Sequence, residues 1–146
     1  MAIADERAAF HLAHLAWGAG DFDGFMALIA DDIVYTVNVD GEQLPYAAST
    51  VGKEQVRQRM LLLLDTFVVN AFVMEHLVHE PTYSRSSVLG YYTHKKTGEY
   101  LEIKIRFRGW VKDGLITRLE EYHDAAYAEA FHRFVTHLQA AAQGGD

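Results

Sequence analysis

The chain of 146 residues has no cysteine. That excludes a disulfide framework, a thiolate metal site and a cysteine nucleophile, and it leaves stability to packing. It also has no run of Lys or Arg, and its formal charge is -7. Without a basic stripe there is nothing to neutralise phosphates or anionic lipid, so nucleic acid is not an expected partner. Long apolar runs are missing too: the longest, Met60 to Leu64, is far short of the ~20 residues that span a bilayer. The opening Met1-Ala2-Ile3-Ala4-Asp5-Glu6 has neither the basic nor the apolar region of a signal peptide. A cytoplasmic protein with no membrane partner is expected. No phosphate loop, dinucleotide fingerprint or nucleophile triad occurs, so no cofactor is expected.

What the sequence does hold is apolar surface. Half the residues are hydrophobic, with eight Phe, eight Tyr and two Trp, enough to fold one domain of this length. Residues 1–146 read as that single domain, with a core over about 5–142 and a frayed tail at 143–146.

Asp5 caps an expected first helix to about Trp17, ended by Gly18 and Gly20, and Asp21 caps a second from Phe22 to Ala30. The β-branched run Ile33 to Val39 predicts a strand, and Lys53 to about Asp65 a third helix. From Phe67 the texture changes to long strands: Phe67 to His79, Ser86 to Thr93, Glu99 to Val111 and Leu115 to His123. Their hairpin spacings predict a meander. Asp124 then caps a last helix, with Tyr127, Phe131, Phe134, Val135 and Leu138 at helical spacing. The strongest signal is Leu101, Ile103, Ile105 and Phe107 alternating with Glu102, Lys104, Arg106 and Arg108, which assigns one sheet face to the core. The class is α+β, with an antiparallel sheet curved over the helices.

Which way the last strand faces depends on the hairpin at Asp113-Gly114. A two-residue turn pairs Ile105 with Tyr122 and turns Arg118 and Glu120 to the core. A three-residue loop with Gly114 at a bulge pairs Phe107 with Leu119, Ile105 with Glu121 and Ile103 with His123. The second is preferred because it sets Arg106 opposite Glu120 on the outer face. It also brings Glu121 and His123 together on the apolar face, roughly 7 Å apart. A buried carboxylate is then protonated, paired or beside a wet cavity.

Gly20-Asp21-Phe22-Asp23-Gly24, Ala27-Leu28, Ala30-Asp31-Asp32, Asp113-Gly114-Leu115-Ile116 and Glu121-Tyr122-His123-Asp124 resemble the SnoaL-like branch of the nuclear transport factor 2-like superfamily, over about Asp5 to Phe131. The resemblance implies a cone of curved sheet closed by helices, an interior pocket, dimers through the outer sheet face, and Glu121 and His123 facing inward. The enzyme patterns of the superfamily match only in part. The general base of ketosteroid isomerase falls near Val37 and its helix tyrosine near Ala13, so that activity is contradicted. Epoxide hydrolases need an Arg and an Asp where Val88 and Gly90 stand, though their last-strand carboxylate resembles Glu121. The strand histidine of scytalone dehydratase is similar to His76, and its tyrosine falls near Tyr35.

The expected function is cofactor-free acid/base isomerisation, cyclisation or dehydration of a small apolar carbonyl or polyketide-like compound. Glu121 is the base or acid, His123 its partner and His76 a second proton carrier, while Tyr35, Tyr46, Trp17, Tyr92 and Leu119 line the pocket. The rival is a non-catalytic small-molecule binder. His76, Glu121 and His123 compose a two-histidine, one-carboxylate set only on paper: His76 and His79 lie on opposite sides of a strand, and no metal site is expected. Trp110, Ile116 and Tyr122, with Arg106, Arg108 and Glu120, form an outer face expected to bury itself in a homodimer.

Overall fold

A computed structural model describes residues 3–144, with side chains from Arg7 to Gln143. Helices α1 (Ile3–Gly18) and α2 (Phe22–Met26) lead into strand β1 (Ile29–Val37). A 3-10 turn at Pro45–Ala47, the short strand β2 (Thr50–Val51) and helix α3 (Lys53–Thr66) follow. Then come β3 (Phe67–His79), β4 (Ser84–His94), β5 (Tyr100–Lys112), β6 (Leu115–Tyr122) and helix α4 (Ala125–Gly144). Helix α1 extends N-terminal to Asp5, whose side chain lies outside the described residues. Helix α4 is N-capped by Asp124, whose Oδ1 accepts from the Tyr127 amide. Its bounds take in Gln143 and Gly144, the start of the tail expected to fray, and residues 145–146 lie outside the described residues.

The fold is α+β around a sheet of six strands ordered β2-β1-β6-β5-β4-β3. The meander β3 to β6 is antiparallel as expected, but β1 lies parallel to β6. That pairing joins segments far apart in sequence, so no turn signal announces it. It also pulls Ile29 into β1 opposite Ile116, ending α2 at Met26, four residues before the expected boundary at Ala30. Helix α1 crosses the inner face of the sheet. Gly109 makes this approach close, since a Cβ there would stand 2.3 Å from the Phe10 ring.

The last hairpin corrects the expected register. Asp113 and Gly114 both have positive φ, 53° and 77°, the two-residue turn suited to a right-twisted hairpin. Lys112 therefore pairs with Leu115 and Val111 with Ile116. A bulge at Thr117, whose hydroxyl donates to the Trp110 carbonyl at 3.3 Å, then shifts the pairing, so Phe107 faces Glu121 and Arg106 faces Tyr122. The three-residue register leaves Ile116 outside, and an unbulged two-residue register leaves Leu119 outside. The bulge buries both, at 0 % and 5 % exposure, and each such side chain stabilises by about 1.5–3 kcal/mol. Glu121 thus faces inward as expected, but by a different route. The Arg106–Glu120 pair does not form; Glu120 is held by Arg118 at 3.0 Å. Ile116 does not belong to the outer face.

Candidate functional site

An apolar cavity of about 90 Å³ lies between the sheet and α1, α3 and α4. That is room for several waters or a compact organic molecule. Trp17, Tyr35, Tyr46, Tyr92 and Leu119 all line it, together with Glu121 and His123. Gly90 leaves room for the Tyr92 ring, which a Cβ would meet at 2.6 Å. His76 does not join them. The bulge between Met74 and His76 inserts Glu75, so His76 stands opposite Ser87 and is exposed, while Leu77 takes the inward place. His76 therefore has no place in the cavity wall.

The polar end of the cavity is built around Glu121, and its key member was not foreseen. Arg59 comes from α3, where Val56, Arg59 and Met60 are buried at the i, i+3, i+4 spacing of a single helix face. An arginine on that apolar stripe was the available signal. Its Nη2 lies 3.4 Å from both carboxylate oxygens of Glu121, its Nε donates to the Tyr46 carbonyl at 3.1 Å, and its guanidinium sits 4.5 Å over the Tyr35 ring. The Tyr35 hydroxyl donates to Glu121 Oε1, and His123 Nε2 bonds Oε2. His123 lies just past the end of β6 and is tied by its backbone to Asn38, whose Oδ1 accepts from the His123 amide at 2.9 Å.

Burial alone would raise the Glu121 pKa, but the Arg59 guanidinium and then His123 outweigh it and bring it down to about 2. The carboxylate is therefore paired, not protonated. Burial, and then the adjacent Glu121 charge, push the Tyr35 hydroxyl well above its ordinary range, so it stays a donor. Because an ionised carboxylate only accepts, Nε2 of His123 carries the proton it donates to Glu121, and Nδ1 is the ring nitrogen left over. That Nδ1 and Arg59 Nη1 are buried without a hydrogen-bond partner among the described residues. The cavity thus has apolar walls, one unengaged ring nitrogen and one unengaged cationic donor.

His14 also lines the cavity. Its Nδ1 donates to the Phe10 carbonyl at 2.7 Å, and its Nε2 accepts from the Ser86 hydroxyl at 2.7 Å. Burial lowers its pKa to about 4, so the ring is neutral. Among the described residues no group of three or more His, Asp or Glu side chains is arranged to hold a metal ion.

Comparison with known proteins agrees with this architecture. A SnoaL-like domain model matches residues 9–119, a span that includes Tyr35 and Arg59 and stops short of Glu121 and His123. The chain is similar to a candidate SnoaL-like polyketide cyclase from Mesorhizobium loti: 26 % identity, TM-score 0.68, covering 84 % of this chain and 99 % of that one. It also resembles an NTF2-like protein of unknown function from Burkholderia pseudomallei (13 %, 0.75, 85 % and 94 %). A candidate isomerase from Rhodopseudomonas palustris is similar as well (16 %, 0.71, 84 % and 92 %). No curated protein matches the sequence. Among the described residues no helix is long and apolar enough to cross a membrane. The chain belongs to the SnoaL-like domain family.

Proposed function

We propose that the protein is a cofactor-free acid/base enzyme that isomerises, cyclises or dehydrates a small, mostly apolar carbonyl or polyketide-like compound. The observation that carries this reading is the buried His123–Glu121 pair at the end of an apolar cavity, with His123 Nδ1 unpartnered among the described residues. Glu121, held near pKa 2, is too weak a base to take a carbon-bound proton at neutral pH. Instead it fixes the tautomer of His123 and stabilises the imidazolium that forms when Nδ1 takes the proton, as buried carboxylates do in other His–carboxylate pairs. The same nitrogen then returns the proton to another carbon or to a leaving hydroxyl. The names of the cyclase and isomerase relatives point the same way.

Solvent-deuterium uptake by enolisable ketones and β-keto compounds in D2O, followed by NMR, tests the reading. The rate above buffer should fall by at least about 100-fold in His123→Gln. No excess over buffer for any such compound, with ligand bound and recovered unchanged, would establish the rival, a non-catalytic small-molecule binder. That rival draws support from the full pairing of Glu121, which suits a structural ion pair equally well.

The outer face carrying Arg108, Trp110, Arg118 and Tyr122, where Arg118 stacks 5.6 Å from the Trp110 ring, pairs with a second copy. Sedimentation showing only monomer at micromolar concentration would refute this. A cytoplasmic location follows from the composition, and cell fractionation with the protein outside the cytoplasmic fraction would refute it.

A further inference from the structure

We infer that Arg59 is a second ligand-contacting group. Its Nη1 donates to the carbonyl oxygen of the substrate and holds that oxygen as negative charge builds, so the pocket takes uncharged compounds whose acidic proton is adjacent to, or conjugated with, that carbonyl. The inference rests on the proposed base role of His123 and extends it to the substrate.

Three observations lead here. The Arg59 side chain is 4 % exposed, and its Nε and Nη2 are engaged while Nη1 is not. A buried donor left unsatisfied is costly, more so on a charged group, and both Glu121 oxygens and the Tyr46 carbonyl already accept from other donors. A ligand oxygen supplies the missing acceptor. Next, the guanidinium is pinned by the Tyr35 ring and by Glu121, so Nη1 is already oriented when the ligand arrives, which is how a fixed donor stabilises developing charge. Finally, the charges of Arg59 and Glu121 cancel. A carboxylate-bearing ligand would add an uncompensated charge among apolar walls, whereas a neutral one leaves the balance intact.

Proton transfer keeps that balance. The C–H electron pair becomes the C=C bond of the enolate, the carbonyl π pair moves onto oxygen, and the proton goes to His123 Nδ1. The imidazolium then lies against Glu121 and the enolate oxygen against Arg59. No oxidant or reductant is involved. An imidazole is a weak base beside the carbanion of a simple ketone, so the substrates that match it carry the proton between two carbonyls or at a vinylogous position. Uncharged β-dicarbonyl and hydroxy-enone compounds are the class.

The probe is 3,4,5-trifluorophenol, a stable mimic of an enol with a single oxygen, whose ionisation is read by fluorine NMR without protein background; 3,4,5-trifluorotoluene is the control without a hydroxyl. At neutral pH the wild type should bind the phenol as phenolate. Affinity should fall about tenfold or more in Arg59→Lys, which keeps a cation beside Glu121 but loses the planar second donor. Affinity for the toluene control should not change. If Arg59→Lys fails to fold, the double variant Arg59→Met/Glu121→Gln, neutral inside, should show the same loss. No binding of the phenol by the wild type, or unchanged affinity and spectrum in a folded Arg59 variant, would overturn the inference. In His123→Gln the dependence on Arg59 should persist while the bound probe reverts to neutral phenol. A bound phenolate in that variant removes His123 as the base and leaves the Arg59 contact standing.

Discussion

Arg59 and Glu121 keep their charges at one end of the cavity, while His14, buried to the same degree at 8 % exposure against 6 % for each of them, does not. The difference lies in what surrounds each group. Glu121 faces a guanidinium from α3, a hydroxyl from β1 and an imidazole from the end of β6, and their summed attraction exceeds the desolvation that would have neutralised it. His14 meets one carbonyl, one hydroxyl and the faces of Phe10 and Phe107, with ring centroids at 4.6 Å and 5.3 Å, and no counter-charge. Desolvation wins there. Burial by itself therefore predicts neither state; the partners decide.

Breaking the charged end should have the largest effect. In Arg59→Met, Glu121 loses its counter-charge in the core, and stability should drop by about 3–5 kcal/mol, measured by denaturant unfolding. Adding Glu121→Gln should restore much of the loss, because the uncompensated charge goes with it. A double variant no more stable than Arg59→Met would show that the guanidinium acts by filling space rather than by pairing.

The two ends should also separate in acid. His14 has a folded pKa of about 4 against 6.5 unfolded. The unfolded chain takes a proton the folded chain refuses, so stability is full above pH 6.5 and is lost as pH falls through 4. Glu121 has a folded value of about 2 against 4.5, so its contribution is full above pH 4.5 and is lost as pH falls towards 2. Each shift corresponds to roughly 3 kcal/mol. His79, His94 and His132 are also lowered, with burial the largest cause, and deepen the first limb. Thermal unfolding from pH 7 to 2 should show the upper limb reduced in His14→Gln and the lower limb reduced in Glu121→Gln, which should be less stable than wild type at neutral pH. A Gln variant more stable at pH 7 would mean that Glu121 is strained rather than paired.

The charged end was also the less legible one. The alternation from Leu101 to Phe107 reads directly, because a half-buried strand imposes its period on its own residues. The pocket aromatics Trp17, Tyr35, Tyr46 and Tyr92 lie on other elements and were legible only as large side chains that a core or pocket would take. Glu121 was placed inward although the register was displaced, since Thr117 bulges to let Ile116 and Leu119 both face in, a requirement set by the assembled core and not by the turn. His76 failed for the same reason in β3, where one inserted residue reverses the face. Arg59 and Glu121 lie 62 residues apart in sequence, and no local pattern reports that an arginine on a helix stripe will meet a carboxylate from a strand. The parallel β1–β6 pairing is hidden likewise, although it carries Tyr35 alongside Leu119 and thus toward Glu121.

The smallest test compares one hydroxyl at each end. Tyr35 donates to an ionised carboxylate and Ser86 to a neutral ring nitrogen; hydrogen bonds to charged groups contribute about 1.5–3 kcal/mol and neutral ones about 0.5–1.5. Tyr35→Phe should therefore cost more than Ser86→Ala in the same denaturant titration, although the serine is as thoroughly buried, at 3 % exposure. The acid limbs should respond separately. Tyr35→Phe removes a donor that favours the carboxylate, so the lower limb should begin at higher pH, whereas Ser86→Ala should leave that limb in place. Equal costs, or a lower limb that moves with Ser86, would mean that the two ends are coupled through the cavity and that their partners do not act locally.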